Sequence, residues 1–499
     1  MAKRKRDTGT NAKSASNTAD GKNEASKVAK TNGHIDVKTA GPVIQIIAGS
    51  YERVLHGITA SISDLTSSEA SPSVQFADSF LFNAHASAVR CLALSPMPDP
   101  NSSEAQGVYL ATGGSDEKIN VYNLSASPVA LNDNNLPMPS LGNNPISENP
   151  RNRELGTLLH HSSTITALHF PTRSKLLSAS EDNTIAVTRL KDLTVVSTIK
   201  APRPKVQGQP SGDTAPPGAT PAGVNDFAVH PSLKLMLSVG RGERCMRLWN
   251  LVTGKKAGVL NFGRDILQSV KEAKASSGEG RKIRWHPVGA EFSVAFERGV
   301  VVFGEDSKAK CKVLPEPLTK VHQISYVSIP VSADEELALL AVSTEDGRVL
   351  FYDTDNPTSL TSTGGTNDEA PTIPSATLCA TVGGKSAGVT GRVKDFEILF
   401  LAPVRENQQD LAMVTASSDG TIRVFRLPVA DLLSAAKSKK PAHLGTVIGS
   451  YDTGNRITCL KAFVMQPPSE NGVDPEAGDD DFEGFDGTKA ESESGSESD

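Results

Sequence analysis

An aspartate-centred hairpin recurs four times along this chain, and it constrains the fold more than any other feature. The clearest copy is LAMVTASSDGTIRVFR, Leu411 to Arg426, an apolar run, a tight turn on Asp419 and Gly420, then an alternating run ending at Phe425 and Arg426. The others are YLATGGSDEKINVYN (Tyr109 to Asn123), LLSASEDNTIAVTRL (Leu176 to Leu190) and LAVSTEDGRVLFYD (Leu340 to Asp353). A polar pair suited to positive φ between two β-rich runs is a hairpin signal. Recurrence of one small antiparallel unit, with long stretches between copies, points to a repeat architecture rather than to a single compact core.

Repeats of this length, each supplying one small sheet, predict a β-propeller, and the S-x-D-x-x-[IV]-x-[VL]-[WYF] grammar resembles the WD-repeat family. In such a repeat a His precedes the first strand, a Ser or Thr lies in the second, an Asp in the turn and an aromatic residue in the third. His85, Thr112, Asp116 and Tyr122 fill these places in one unit. His161, Ser178 and Asp182 do so in another whose aromatic place is Thr188, and Thr415, Asp419 and Phe425 in a third without the His. A further unit keeps the aromatic as Trp249 in MRLWNLVTG, but its turn, Gly240 to Cys245, is one residue longer and has no Asp.

Counting strand groups gives six units, starting near Ala88, Thr164, Gly223, Arg281, Val321 and Gly391. Ahead of them VIQIIAGS, RVLHGITASI and VQFADSFLF supply only three strands, and RITCLKAFV (Arg456 to Val464) supplies a fourth from the other end. The expected fold is therefore all-β, a seven-bladed WD-repeat propeller closed by pairing of its N- and C-terminal strands, because closure removes the unpaired edges of an open sheet. The unit from Arg281 has no Asp turn, and Arg298 and Gly299 are expected in its place. Polar segments 95–107, 124–153, 354–375 and 427–443 fall on one face of such a fold, and 201–222 and 261–280 on the other. Ile266, Leu267, Val270 and Ala273 in DILQSVKEAKA have helical spacing.

The formal charge of −6 over 499 residues conceals a division. Residues 1–41 read as a disordered basic tail, residues 42–466 as the propeller and residues 467–499 as a disordered acidic tail. The first 40 residues sum to +5 and the last 33 to −11, so the remainder is neutral. Lys3, Arg4, Lys5 and Arg6 form a compact basic tetrad suited to a nuclear-import receptor. In the acidic tail Thr488, Ser494 and Ser496 each have an acidic residue three places on, which suits an acidophilic kinase. The five cysteines form no C-x-x-C pair and read as reduced thiols, and no apolar run of about 18 residues suggests a membrane span.

No phosphate-binding loop, H-E-x-x-H helix or nucleophile elbow is present, so no catalytic residue, cofactor, metal or small-molecule substrate is expected. His160 beside His161 has the spacing of a metal pair, but neighbouring strand residues are expected to face opposite ways. The basic residues of segments 201–222, 240–245 and 261–282 outnumber the acidic ones nine to five. Arg241, Arg244, Lys271, Lys274 and Arg281 are therefore the candidate partner-binding residues, for ribosomal RNA or an acidic protein.

AGSYERVLHGI (Ala48 to Ile58), LHHSSTITALHF, HPSLKLMLSVG, WNLVTGKKAG and the GRVKDF that precedes LAMVTASSDGTIRVFRL stand in the order and spacing of one particular family. Over roughly residues 43–465 the chain resembles the PAK-interacting proteins, whose fungal members are the maintenance-of-killer type of ribosome-assembly factors. The resemblance implies a nuclear, nucleolar and non-enzymatic scaffold for assembly of the large ribosomal subunit, with pre-ribosomal proteins and ribosomal RNA as partners. It also implies an alternative, an adaptor that binds and restrains a p21-activated-type kinase.

Overall fold

The structure, a computed structural model, describes residues 41–63, 73–99, 107–129, 140–141, 144–203, 223–273, 276–332, 335–358, 373–402, 409–438 and 440–467. They contain five separate four-stranded antiparallel sheets, a two-stranded sheet and a nine-stranded sheet. The nine-stranded sheet is two antiparallel four-strand runs, Lys282–Val313 and Val321–Gly383, whose outer strands touch through one parallel pair, Lys312 with Ser375. Its ninth strand, Ala442–His443, pairs parallel with Ser375–Gly383 at Ala380 and Thr381, on the edge that Lys312 also meets.

Six units follow one another in sequence, and each begins with an inner strand: Val89–Leu94, Ile165–Thr172, Val224–Val229, Lys282–Trp285, Val321–Pro330 and Val393–Phe400. These starts agree with the sequence expectation to within two residues. The remaining unit, here called the closing unit, takes three strands from Val43–Asn83 and its inner strand, Ile457–Val464, from the other end. Strand Val43–Ser50 pairs antiparallel with it, from Ile44 opposite Val464 to Ser50 opposite Ile457. Inner strands of successive units pack side by side in chain order, and the last, Val393–Phe400, packs on Ile457–Val464, which in turn meets Val89–Leu94.

Apolar side chains explain this order. Each sheet carries buried residues on both faces, and each gap between neighbouring sheets holds its own apolar cluster. Ile119, Val121 and Leu158 of the first unit meet Ile165, Leu176 and Phe170 of the second. At the junction of the termini, Ile44, Ile46, Ile58 and Leu460 meet Val414, Ile422 and Val424. The turns follow local chemistry. The residue after the turn Asp is left-handed in all four hairpins, at Glu117, Asn183, Gly347 and Gly420 with φ 68°, 65°, 85° and 93°. Gly and Asn tolerate that region, whereas Glu117 adopts it at a cost.

Two expectations need correction. The helix of segment 261–280 is short, Arg264–Ser269, so Val270 and Ala273 lie outside it. Val270 is nonetheless fully buried, and Lys271 with φ 54° turns the chain away. Segment 427–443, read as a polar loop, contains helix Val429–Ser438, with Val429, Leu432 and Ala435 buried against the fifth and sixth units. Both tails, except for Gly41 and Pro467, lie outside the described residues, as do Lys3, Arg4, Lys5, Arg6, Thr488, Ser494 and Ser496.

Because Ile457–Val464 completes the closing unit, a chain ended at residue 455 is expected to lose its cooperative thermal transition, while one ended at residue 467 melts like the parent. Equal melting of the two by circular dichroism would show that the terminal pairing is dispensable.

Candidate functional site

Three groups of polar side chains were candidates for function, and their geometry separates support for the fold from surfaces free to bind. The first is the hairpin triad. His85 Nδ1 lies 2.9 Å from Asp116 Oδ1 and Nε2 lies 2.8 Å from Thr112 Oγ1. Since a carboxylate only accepts, Nδ1–H donates to it, and a neutral imidazole accepts from the threonine hydroxyl at Nε2. Burial holds the His85 imidazole below its usual range despite the opposing pull of Asp116, which favours that neutral form. Burial alone would raise the Asp116 carboxyl, but the Ala86 N–H at 2.8 Å and His85 outweigh it and leave it below the usual range. Tyr122 completes the group as a buried ring, 5.7 Å from the Phe82 ring.

The second unit repeats the triad through His161, Asp182 and Ser178, with 3.0 Å from Nδ1 to the carboxylate and 2.9 Å from Nε2 to the hydroxyl. In place of the aromatic, the Thr188 hydroxyl is buried and has no partner among the described residues. His160 corrects an expectation here. Residues 159–161 precede the strand, so the two imidazoles are not forced apart; their centroids are 4.3 Å from each other and His160 Nε2 also reaches Ser178 Oγ, at 3.1 Å. Among the described residues no three His, Cys, Asp or Glu side chains are grouped to hold a metal. In the third unit Trp249 Nε1 donates to Ser238 Oγ at 2.8 Å without any His. Asp419, by contrast, is exposed and among the described residues accepts only from the Thr421 N–H, at 3.1 Å.

The second group is the candidate basic sector, where the pairing is more complete than charge counting suggested. Arg241 is paired with Glu181 at 2.8 Å, and Arg281 approaches Glu297 at 3.8 Å. Arg244 donates from Nε to the Ser277 carbonyl and from Nη2 to that of Ser276, at 2.9 and 3.1 Å. In the long turn Glu243 grips Arg247 with both oxygens, and Glu279 accepts from the Gly242 N–H at 2.5 Å. Lys271 is exposed and Lys274 lies outside the described residues. Arg241, Arg244 and Arg281 therefore help fix this segment instead of standing free in it.

The third group, which the sequence reading did not single out, lines a cavity of about 630 Å³ bounded by inner strands of all the units. Asp226, nearly fully buried, accepts from Arg284 Nη1 at 2.7 Å and from the Ile283 N–H at 3.1 Å. Arg284 continues to Gln323, which donates to Asp395 Oδ1 at 3.1 Å, and Asp395 Oδ2 accepts from the Leu460 N–H at 3.0 Å. Lys461 pairs with Glu397. The signal was present in the sequence as charged or polar third and fifth residues of the inner strands, but only the ring brings them together. A further tie joins the sixth unit to the closing one: Tyr451 OH donates to Asp78 Oδ1 at 2.5 Å, and His56 Nε2 holds the same oxygen at 2.8 Å.

Comparison with known proteins adds the following. The WD domain, G-beta repeat family matches residues 152–187. Protein MAK11 of Saccharomyces cerevisiae is 26% identical over 83% of this chain and 82% of its own length. The p21-activated protein kinase-interacting protein 1-like of Xenopus laevis is 24% identical over 84% and 82% respectively. The human p21-activated protein kinase-interacting protein 1 is 24% identical over 48% of this chain and 45% of its own length.

Asp116→Ala and Asp182→Ala are each expected to cost about 1–3 kcal/mol, because each removes a carboxylate to which a buried imidazole donates, Thr184 Oγ1 at 3.0 Å being the remaining acceptor for His161. Asp419→Ala should cost no more than about 0.5 kcal/mol, as for an exposed position. Urea unfolding of the three variants measures this, and an equal cost at Asp419 would overturn the distinction.

Acid sensitivity has a defined direction. Burial holds His160 and His322 down to about 4 from the ordinary 6.5, with His161 adding to it for the first and Lys394 and Arg392 for the second. The unfolded chain thus takes up protons before the folded one, and stability should decline as pH falls from 6.5 towards 4. Urea midpoints across that range should fall, and less so for His322→Gln.

Proposed function

We propose that this chain, a WD-repeat homologue of yeast MAK11 and of the vertebrate p21-activated protein kinase-interacting proteins, is a non-enzymatic scaffold for assembly of the large ribosomal subunit. One observation carries the reading: the likeness to MAK11 extends over 83% of this chain and 82% of the relative, so it covers the ring of sheets and not one repeat. The closed succession of inner strands, with an apolar cluster in every gap, supports a seven-bladed propeller. Such a body offers several loop surfaces to proteins and RNA at once, which is what an assembly scaffold requires.

The expected location is the nucleus and nucleolus, reached through Lys3, Arg4, Lys5 and Arg6. Pre-ribosomal proteins are the expected partners, with ribosomal RNA at exposed cations such as Lys271. A second reading is favoured by the names of the vertebrate relatives, each described as interacting with a p21-activated kinase. In that reading the same loop surfaces hold a kinase.

Sedimentation of cell extract decides between them. The tagged protein is expected to travel with precursors of the large subunit, and its depletion to lower the ratio of large to small subunits. A slow-sedimenting pool recovered with a p21-activated-type kinase, with the subunit ratio unchanged, would favour the adaptor.

A further inference from the structure

Six inner strands slip register at or beside their second residue. The slips lie between Val89 and Cys91, Ile165 and Ala167, Val224 and Asp226, Val321 and Ile324, and Val393 and Asp395, and opposite the Gly49–Ser50 step in the last. A bulge leaves its extra residue out of the ladder and re-aims its side chain. Here the bulged residues are Arg90, Thr166, Asn225, His322, Lys394 and Thr458, and all except Asn225 line the cavity.

These residues divide into two kinds. Thr166, Asn225 and Thr458 reach forward to the next unit, donating to the carbonyls of Val224, Gly280 and Val89 at 2.6, 2.9 and 2.6 Å. They act as clips between neighbouring sheets. Arg90, His322 and Lys394 make no such clip. Among the described residues Arg90 and Lys394 have no ion-pair partner, nor does Lys282, which lines the same cavity from the one inner strand that runs without a slip. His322 Nε2 is buried and has no hydrogen-bond partner among the described residues. Nearby acids do not neutralise these cations, because Asp226 is held by Arg284, Asp395 by Gln323 and two backbone N–H groups, and Glu397 by Lys461.

Unpaired like charges facing one small cavity repel each other at a cost, which an occupant of opposite charge would remove. Burial, and then Arg392 and Arg456, hold the Lys394 ammonium below its ordinary range. From this geometry we propose that the cavity between the inner strands binds a compact oligophosphate, held by Arg90, Lys282 and Lys394 with His322 beside them. These cations come from the first, fourth and sixth units and so approach from separate sides. A ligand that satisfies them must carry negative charge on several sides of one compact body, as an oligophosphate does. An extended acidic peptide presents its carboxylates one after another along a chain, which fits this arrangement poorly. A nucleic-acid duplex is excluded by size, since a cavity of about 630 Å³ holds a small molecule.

Titration calorimetry of the full chain with sodium tripolyphosphate at about 0.15 M salt tests this. Saturable binding of one ligand per chain is expected, weakened about tenfold or more in Arg90→Gln/Lys282→Gln/Lys394→Gln. A control carrying Lys175→Gln/Lys234→Gln/Lys437→Gln, all exposed cations away from the cavity, should bind like the parent. Relief of repulsion should let the cavity variant melt no lower than the parent; if it melts lower, the single Lys394→Gln replaces it with the same expected direction. Absence of saturable binding, or equal weakening in cavity and control variants, would overturn the proposal. Tighter binding of an oligoglutamate peptide than of tripolyphosphate would overturn it in favour of a peptide.

Discussion

Every sheet in this molecule must bury both of its faces, and that requirement governs the rest. A four-stranded sheet with two apolar faces is insoluble alone and becomes stable only between two others. A row of such sheets has two unburied ends unless it returns upon itself. The return is made by residues far apart in sequence, as Ile44 opposite Val464 shows, and it is reinforced by Tyr451, His56 and Asp78 across the same junction. The apolar core is accordingly not one mass but a set of slabs, each shared by two neighbours. Low aromatic content, at 5% of the chain, is compatible with this because no single large core has to be filled.

The hairpins were legible because their signal is local. Asp182 and Asn183, or Asp419 and Gly420, announce a turn through backbone preferences that do not depend on the rest of the fold. Strand starts were legible for the same reason, and the terminal pairing because three strands without a fourth leave an obvious deficit. What stayed hidden depends on partners distant in sequence. Charge counting could not reveal that Arg241 faces Glu181 or that Arg244 is spent on the carbonyls of Ser276 and Ser277. Helix Val429–Ser438 was passed over because its short apolar set, Val429, Leu432 and Ala435, sits in a stretch rich in Ser and Lys. The shared grip of His160 and His161 on Ser178 requires the residues ahead of the strand to leave extended alternation.

Buried carboxylates also tie neighbouring sheets to each other. Glu291, almost wholly enclosed in the fourth unit, accepts from Lys310 at 2.7 Å, from Tyr326 OH at 3.1 Å and from Thr354 Oγ1 at 2.7 Å, the latter two from the fifth unit. Burial drives the Tyr326 phenol well above its ordinary range, so it remains a donor. Apolar slabs tolerate sliding, whereas such bonds fix one alignment, because a shifted neighbour would leave a buried carboxylate unsatisfied.

Outer strands of this fold present backbone groups for further pairing, and that of the fifth unit is partly covered. Strand Ser375–Gly383 is met on its far edge by Ala442–His443 and at its start by Lys312. Its edge is capped at Ser375, Ala380 and Thr381, as a short added strand blunts an exposed edge. Recruitment of a foreign strand by backbone pairing has a shorter template on that arc, and amide exchange with solvent should be slower at Ala380 and Thr381 than along the outer strands of the first three units. A partner that grips the rim by extending a sheet would find longer free edges on other units, so the short Ala442–His443 strand makes one arc of an otherwise repetitive body unlike the rest.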